Sequence, residues 1–281
     1  MTTINFTKMQ GLGNDFIILD YEEYLKSKLE MPVIAQKLCD RHFGIGADGL
    51  IIVNPNTQNT DIGWFFYNSD GSIAQMCGNG IRCFAKYVRC KGYVDKDEFS
   101  VDTKAGIIIP KINDDGLVTV NMNKPVLNPA LIPIKSSVNL NINLKAGNET
   151  FKANAVSMGN PHCVIFVKEN SKQYALKYGA EIENNPVFPE KTNVEFIKII
   201  SRNEIHLDVW ERGCGITLAC GTGACASVVA GILNNLLDEK VKVNLPGGAL
   251  YIEWGGSTDD TDKNVYMTGT ADFSFVGKID L

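Results

Sequence analysis

The sequence predicts an α+β fold: two pseudo-symmetric α/β domains from an internal duplication, each a bent mixed or antiparallel sheet around a central helix. Three observations carry that expectation. Cys-Gly-x-Gly occurs twice, in "QMCGNGIRCFAKYV" (75–88) and "LACGTGACASVV" (218–229), each time leading into a run of helical length. Cys220 lies 143 positions after Cys77, about half of the 281 residues, and the same offset sets 64–80 over 207–223 without a gap. Short β-rich runs bounded by turn residues recur in the same order around both copies.

The elements follow in order. "FIILD" (16–20), "GLIIVN" (49–54), "IGWFFYN" (62–68), "VTVNM" (118–122), "CVIFV" (163–167), "VEFIKII" (194–200), "IHLDVW" (205–210) and "VYMTG" (265–269) read as strands. "VIAQKLCDRHFG" (33–44) has the apolar spacing of an amphipathic helix. "IRCFAKYVRCKG" (81–92) puts Ile81, Phe84, Ala85 and Val88 on one helical face, with Gly92 as a stop. "GACASVVAGILNNLL" (223–237) is small and nearly uncharged, which predicts a helix buried on most sides. "GNDFIIL" (13–19) matches "GNPHCVIF" (159–166), and "SVDTKAGIIIPKI" (100–112) loosely matches "KVNLPGGALYIEW" (242–254). Expected domain limits are 1–122 plus 268–281, and 123–267.

Composition narrows the function. The formal charge is −5 with no basic block, so nucleic acid is not an expected partner. No apolar run approaches the roughly 18 residues that a bilayer requires, and "MTTINFTKMQ" lacks a signal-peptide core. A cytoplasmic, non-membrane protein with reduced thiols is expected. Of eight cysteines, Cys39, Cys83, Cys90, Cys225 and Cys163 are expected to be small buried hydrophobes. No spacing is C-x-x-C and only three histidines occur, so no metal site is expected. "GIGADG" (44–49) has the letters of a dinucleotide fingerprint, but a helix precedes it and a strand follows, the reverse of what that fingerprint needs.

The chemistry lies in the paired cysteines. A helix N-terminus offers free N–H groups and about half a positive charge, lowers the pKa of a nearby thiol and binds carboxylates. Two such cysteines can address one carbon from opposite sides. One thiolate then removes a proton and the other thiol returns one to the opposite face.

"NSDGSIAQMCGNGIRC" and "ERGCGITLACGTGACA" resemble the two signature stretches of the diaminopimelate epimerase family. "MQGLGNDF", "RHFGIGADG", "MGNPHCV" and "TNVEF" resemble its other blocks, in the family order and over essentially the whole chain. The resemblance implies two pseudo-symmetric domains with the active site between them and a last strand, near 268–281, returning to the N-terminal domain. It implies pyridoxal-phosphate-independent interconversion of LL- and meso-2,6-diaminopimelate, without cofactor, and a homodimer.

By that resemblance Cys77 and Cys220 are the acid/base pair. Gly78, Asn79, Gly221 and Thr222 follow them and supply N–H groups for the proximal carboxylate. Asn14, Asn68, Asn160 and Asn193 match substrate-binding asparagines. Glu211 and Arg212 match the pair that takes the distal ammonium and carboxylate. His162 and Glu211 tune the thiols. His42 and His206 are expected to be structural. Some relatives carry glutamine at Gly49, so no binding role is carried over there, and Cys214 stands where relatives often have a small apolar residue. Proline racemases and hydroxyproline epimerases share the paired cysteines, but typically have histidine where Asn79 stands. Their substrates lack the distal group that Glu211 and Arg212 would hold.

Overall fold

A computed structural model describes residues 2–281. The chain forms two compact units: residues up to Val120 together with Gly269–Leu281, and Asn121–Thr268.

The first unit begins with β1 (Thr3–Gly11) and β2 (Asn14–Leu19), then α1 (Tyr21–Ser27) and α2 (Met31–Cys39), β3 (Gly49–Asn54) and β4 (Ile62–Asn68). The buried helix α3 (Gly78–Cys90) follows, then β5 (Val101–Thr103), β6 (Gly106–Ile108) and the hairpin β7 (Pro110–Ile112) and β8 (Val118–Asn121). The second unit has β9 (Ile142–Ala146), β10 (Glu149–Ser157), β11 (Pro161–Val167), α4 (Ser171–Glu183), β12 (Asn193–Ser201), β13 (Glu204–Glu211) and β14 (Gly215–Ile216). It closes with α5 (Gly221–Leu233), β15 (Lys240–Leu245), β16 (Gly248–Trp254) and β17 (Val265–Gly269). The last strand, β18 (Asp272–Asp280), pairs antiparallel with β1, in the first unit.

Topology bears out the duplication. In the first unit β1 and β2 are antiparallel, β2 and β3 parallel, β3 and β4 antiparallel, β4 and β5 parallel, β5 and β6 antiparallel. In the second unit β10 and β11, β11 and β12, β12 and β13, β13 and β15, and β15 and β16 repeat that alternation. Each parallel step is a crossover, carried by α1 and α2 in one unit and by α4 in the other. The cysteine-led helix enters at the second crossover in both. Each such helix is enclosed by strands: α3 packs on β1, β2, β3 and β7, and α5 on β10, β11, β12 and β16. That enclosure explains the small residues of α5, where Gly223, Ala224, Ala226 and Ala230 are all buried.

The core of the first unit joins Ile17, Leu19, Leu50 and Ile52 of the sheet to Ile34 and Leu38 of α2. In the second unit Phe151 packs edge-on against Tyr174, Tyr178 and Phe196, and Tyr174 stacks on Tyr178 and on Phe196, with ring centroids 5.1 to 5.9 Å apart.

Several expectations need correction. The helix expected over 33–44 stops at Cys39 because the Asp40 carboxylate accepts from the N–H groups of His42 and Phe43 and makes a turn instead. The helix expected over 223–237 stops at Leu233, and Asn235 takes a φ of 56° just beyond. Cys90, expected to be buried, is exposed at the end of α3. Cys39, Cys83, Cys163 and Cys225 are buried, and burial raises the Cys39 and Cys83 thiols to about 12. Among the described residues no helix is long and apolar enough to cross a membrane.

Candidate active site

In the first unit Cys77 is the N-cap of α3, in extended conformation. Its thiol donates to Asn14 Oδ1 at 3.5 Å, and Asn79 Nδ2 donates to the same oxygen at 3.3 Å. Asn14 is itself held, since its Nδ2 donates to Asp48 Oδ2 at 2.6 Å. Behind it, Arg41 bridges Asp48 and Asp15, and Lys8 pairs with Asp15 at 2.7 Å. Burial alone would raise the Asp15 carboxyl, but Arg41 and Lys8 override it and hold it down to about 2. Fully buried Arg82 donates to Gly78 O, to Asn79 Oδ1 and to Thr270 O, so it fixes the first turn of α3. Asn68 is exposed at the end of β4 and donates to Ser72 Oγ at 2.9 Å. At Gly49 a Cβ would meet Phe66 at 2.7 Å, so Phe66 occupies the space a longer side chain would take.

In the second unit Cys220 is the N-cap of α5, and Gly223 N–H donates to its sulfur at 3.3 Å. Thr222 Oγ1 lies 3.5 Å from the same sulfur. The expected lowering of the thiol by the helix terminus does not prevail in this structure. Burial comes first, then the nearby Glu211 and Glu195 carboxylates, and together they push the Cys220 thiol well above its ordinary range. His162, at the start of β11, is fully buried. Its Nδ1 lies 2.7 Å from Glu195 Oε1 and its Nε2 lies 3.0 Å from Asn160 Oδ1. Desolvation raises the fully buried Glu195 carboxyl against the opposing pull of His162. Glu211 accepts from Thr217 Oγ1. Arg212 donates from its side chain to Glu190 O at 3.0 Å. Asn193 is engaged with backbone: its Nδ2 donates to Pro161 O and its Oδ1 accepts from Arg212 N–H, tying β11 to the turn after β13. Gly221 packs on Met267, where a Cβ would lie 3.0 Å from sulfur.

The first unit thus gathers Cys77, Gly78, Asn79 and Asn14, with Asn68 at the end of β4. The second gathers Cys220, Gly221, Thr222, Glu211, His162 and Asn160, with Asn193 and Arg212 beside them. The sequence did not single out Arg82, Asp48, Arg41 or Glu195. For Glu195 a signal existed: a carboxylate inside the apolar strand "NVEFI". His162, Glu195 and Cys220 bring three potential metal donors within 4.8 Å of one another. Two of them already satisfy each other by the 2.7 Å contact, an arrangement suited to holding a proton. On β13, Asp208 accepts from Ser171 Oγ at the start of α4 and lies 3.2 Å from His206 Nε2.

This two-unit fold is shared with solved structures. A Bacillus anthracis phenazine biosynthesis protein of the PhzF family superposes with a TM-score of 0.73 at 17% identity, over 100% of both chains. A hydroxyproline epimerase from Agrobacterium vitis, with bound trans-4-hydroxy-L-proline, gives 0.69 at 11% identity over 99% and 94%. At such identity these likenesses establish the fold. The family is established by sequence: the model for diaminopimelate epimerase matches residues 6–128 and 154–274. A diaminopimelate epimerase of Halothermothrix orenii is 50% identical over 285 residues, covering 98% of each chain. One from Trichodesmium erythraeum is 47% identical over 281 residues, covering 99% of each. The chain belongs to the diaminopimelate epimerase family.

Proposed function

We propose that this protein is a cofactor-independent epimerase that interconverts LL- and meso-2,6-diaminopimelate, in lysine and peptidoglycan biosynthesis, with Cys77 and Cys220 as its two bases. The observation that carries this reading is the repetition itself: in each unit a cysteine is the N-cap of the enclosed helix. Binding alone needs no thiol at either place.

In the reaction one thiolate takes the α-proton. The Cα–H bond breaks, an S–H bond forms, and the electron pair stays on the carbon. The other thiol then gives its proton to the opposite face and becomes the thiolate. N–H groups at the starts of α3 and α5, from Gly78, Asn79, Gly221 and Thr222, hold the proximal carboxylate and steady the developing charge. Arg212 and Glu211 take the distal carboxylate and ammonium, with Asn14, Asn68, Asn160 and Asn193 as amide partners. Asn193 acts mainly by anchoring the Arg212 turn. His162 and Glu211 set the proton affinity on the Cys220 side. The two compact units are the two functional halves, and the protein works in the cytoplasm as a homodimer.

Substrate exclusivity tests the reading. Reduced enzyme should exchange the α-proton of LL-diaminopimelate without pyridoxal phosphate and should leave proline and hydroxyproline untouched. Turnover of proline instead would move the chain to the racemase branch.

A further inference from the structure

The duplication is not symmetric at one place. Gly-Asn at 13–14 matches Gly-Asn at 159–160, so His162 stands where the first unit has Phe16. The parallel registers extend the match. Phe16 lies opposite Gly49 on β3, and His162 lies opposite Asn193 on β12. Two residues further along those strands come Ile51 and Glu195. The first unit fills these two positions with buried Phe16 and Ile51, whereas the second buries His162 and Glu195. The glycines above them differ accordingly. A Cβ at Gly80 would sit 3.5 Å from the Phe16 ring, an ordinary contact, but at Gly223 it would sit 2.7 Å from Glu195 Oε1.

Packing does not require the ionisable pair, because Phe and Ile serve the same positions in the first unit. Burying an imidazole and a carboxyl costs free energy unless each is satisfied. Here Oε1 is satisfied by His162, while buried Oε2 has no hydrogen-bond partner. The pair lies within 4.8 Å of the Cys220 sulfur. His162 connects it to Asn160, whose Oδ1 faces Nε2 at 3.0 Å. With Glu195 ionised, the carboxylate and the Asn160 amide oxygen are both acceptors, so both ring nitrogens face acceptors. With its oxygen turned to the ring, the Asn160 amide keeps its two N–H donors for another partner.

We propose that Glu195 is a positioning residue: it fixes the His162 ring as an imidazolium through Nδ1, and the ring's Nε2–H turns the Asn160 amide so that its Nδ2 hydrogens face a substrate carboxylate. The groups that bear on the ring are Glu195 on β12, Cys220 at the start of α5, Glu211 at the end of β13 and Asn160 before β11. Replacing Glu195 by glutamine removes the anionic acceptor. The ring then loses its charge, the Asn160 amide turns over, and its oxygen confronts the carboxylate it should bind. The kinetic part of this inference rests on the activity proposed above; the state of the ring does not.

Nitrogen-15 spectra of histidine-labelled enzyme test it directly, with His162 assigned by its loss in H162Q. At about pH 7.5 the wild-type His162 should show both nitrogens protonated, a state that a lone imidazole does not favour there. E195Q should give the neutral pattern and raise KM for diaminopimelate roughly 10- to 100-fold, the range seen when the outer partner of an oriented histidine is removed. The change in kcat should be smaller, and E195D should recover both signatures. A neutral His162 in the wild-type enzyme would overturn the proposal, and this measurement needs no variant to fold. So would an E195Q enzyme with wild-type KM, or one that loses kcat alone. A charged His162 in a protein inactive on diaminopimelate would support the linkage and count against the activity.

Discussion

The two cysteines differ in their surroundings although their positions repeat. Cys77 faces the Asn14 amide, while Cys220 is buried beside Glu211 and Glu195. Because burial and those carboxylates favour the neutral thiol, the Cys220 thiolate is scarce at neutral pH and grows only above the ordinary thiol range. Iodoacetamide modification of Cys220 in the substrate-free enzyme should therefore be slow near pH 7 and rise steeply beyond about pH 9. Peptide mapping against pH reads this, and a plateau already reached near neutrality would be the contrary result. If the proposed two-base mechanism holds, Cys77→Ala and Cys220→Ala should each lower the epimerisation rate at least ~10³-fold, since each removes one end of the proton path. The cysteines were legible in the sequence because their setting occurs twice. Arg82 and Glu195 were not singled out: a charge inside an apolar run is a signal, as in "NVEFI", but the run does not say what the charge meets. Their meaning comes from partners brought up by folding, Thr270 for one and His162 for the other.

The enclosed helices and their supports set what substitutions the elements tolerate. Gly80→Ala adds a methyl group at ordinary contact distance from Phe16 and relieves a helix of glycine, so stability should hold or rise by up to ~1 kcal/mol. Gly223→Ala presses a methyl group onto the Glu195 carboxylate and should cost ~1–3 kcal/mol. Thermal denaturation of the two variants compares them, and equal behaviour would remove the distinction drawn between the halves. The Asp15 carboxyl, held down to about 2 by Arg41 and Lys8, ties β2 to the loop before β3. Its native value lies below its ordinary 3.8, so its contribution to stability is complete above that value and is lost as pH falls toward 2. Asp15→Asn should flatten acid unfolding in that window, as followed by circular dichroism. Among elements, β3, β4 and β17 lie where the alternation and turn residues put them. α4 escaped notice because Gly179 interrupts its pattern, and that glycine exists to admit Trp210, whose Cβ lies 2.5 Å from where a Cβ would be. α1, only seven residues long, offers too little periodicity to read.

At the level of the whole molecule, one strand order is used twice. The chain returns at its end to pair β18 with β1, so the first unit is completed only by the last residues. The gapless repeat made this architecture readable, while the helices of the first crossover, α1 and α2 in one half and α4 in the other, do not repeat, and only α2 was legible by its own apolar spacing. The central claim is the proposed one, that the duplicated helix-capping cysteines act as an acid and a base on one carbon. It is tested most directly by incubating the reduced protein with LL-diaminopimelate in D₂O, without pyridoxal phosphate or added metal, and following α-proton loss together with stereoisomers. Deuterium should enter the α-carbon as meso product forms, and neither should occur in Cys77→Ala or Cys220→Ala. Meso product from an enzyme lacking one of the two thiols, at the normal rate, would contradict the account.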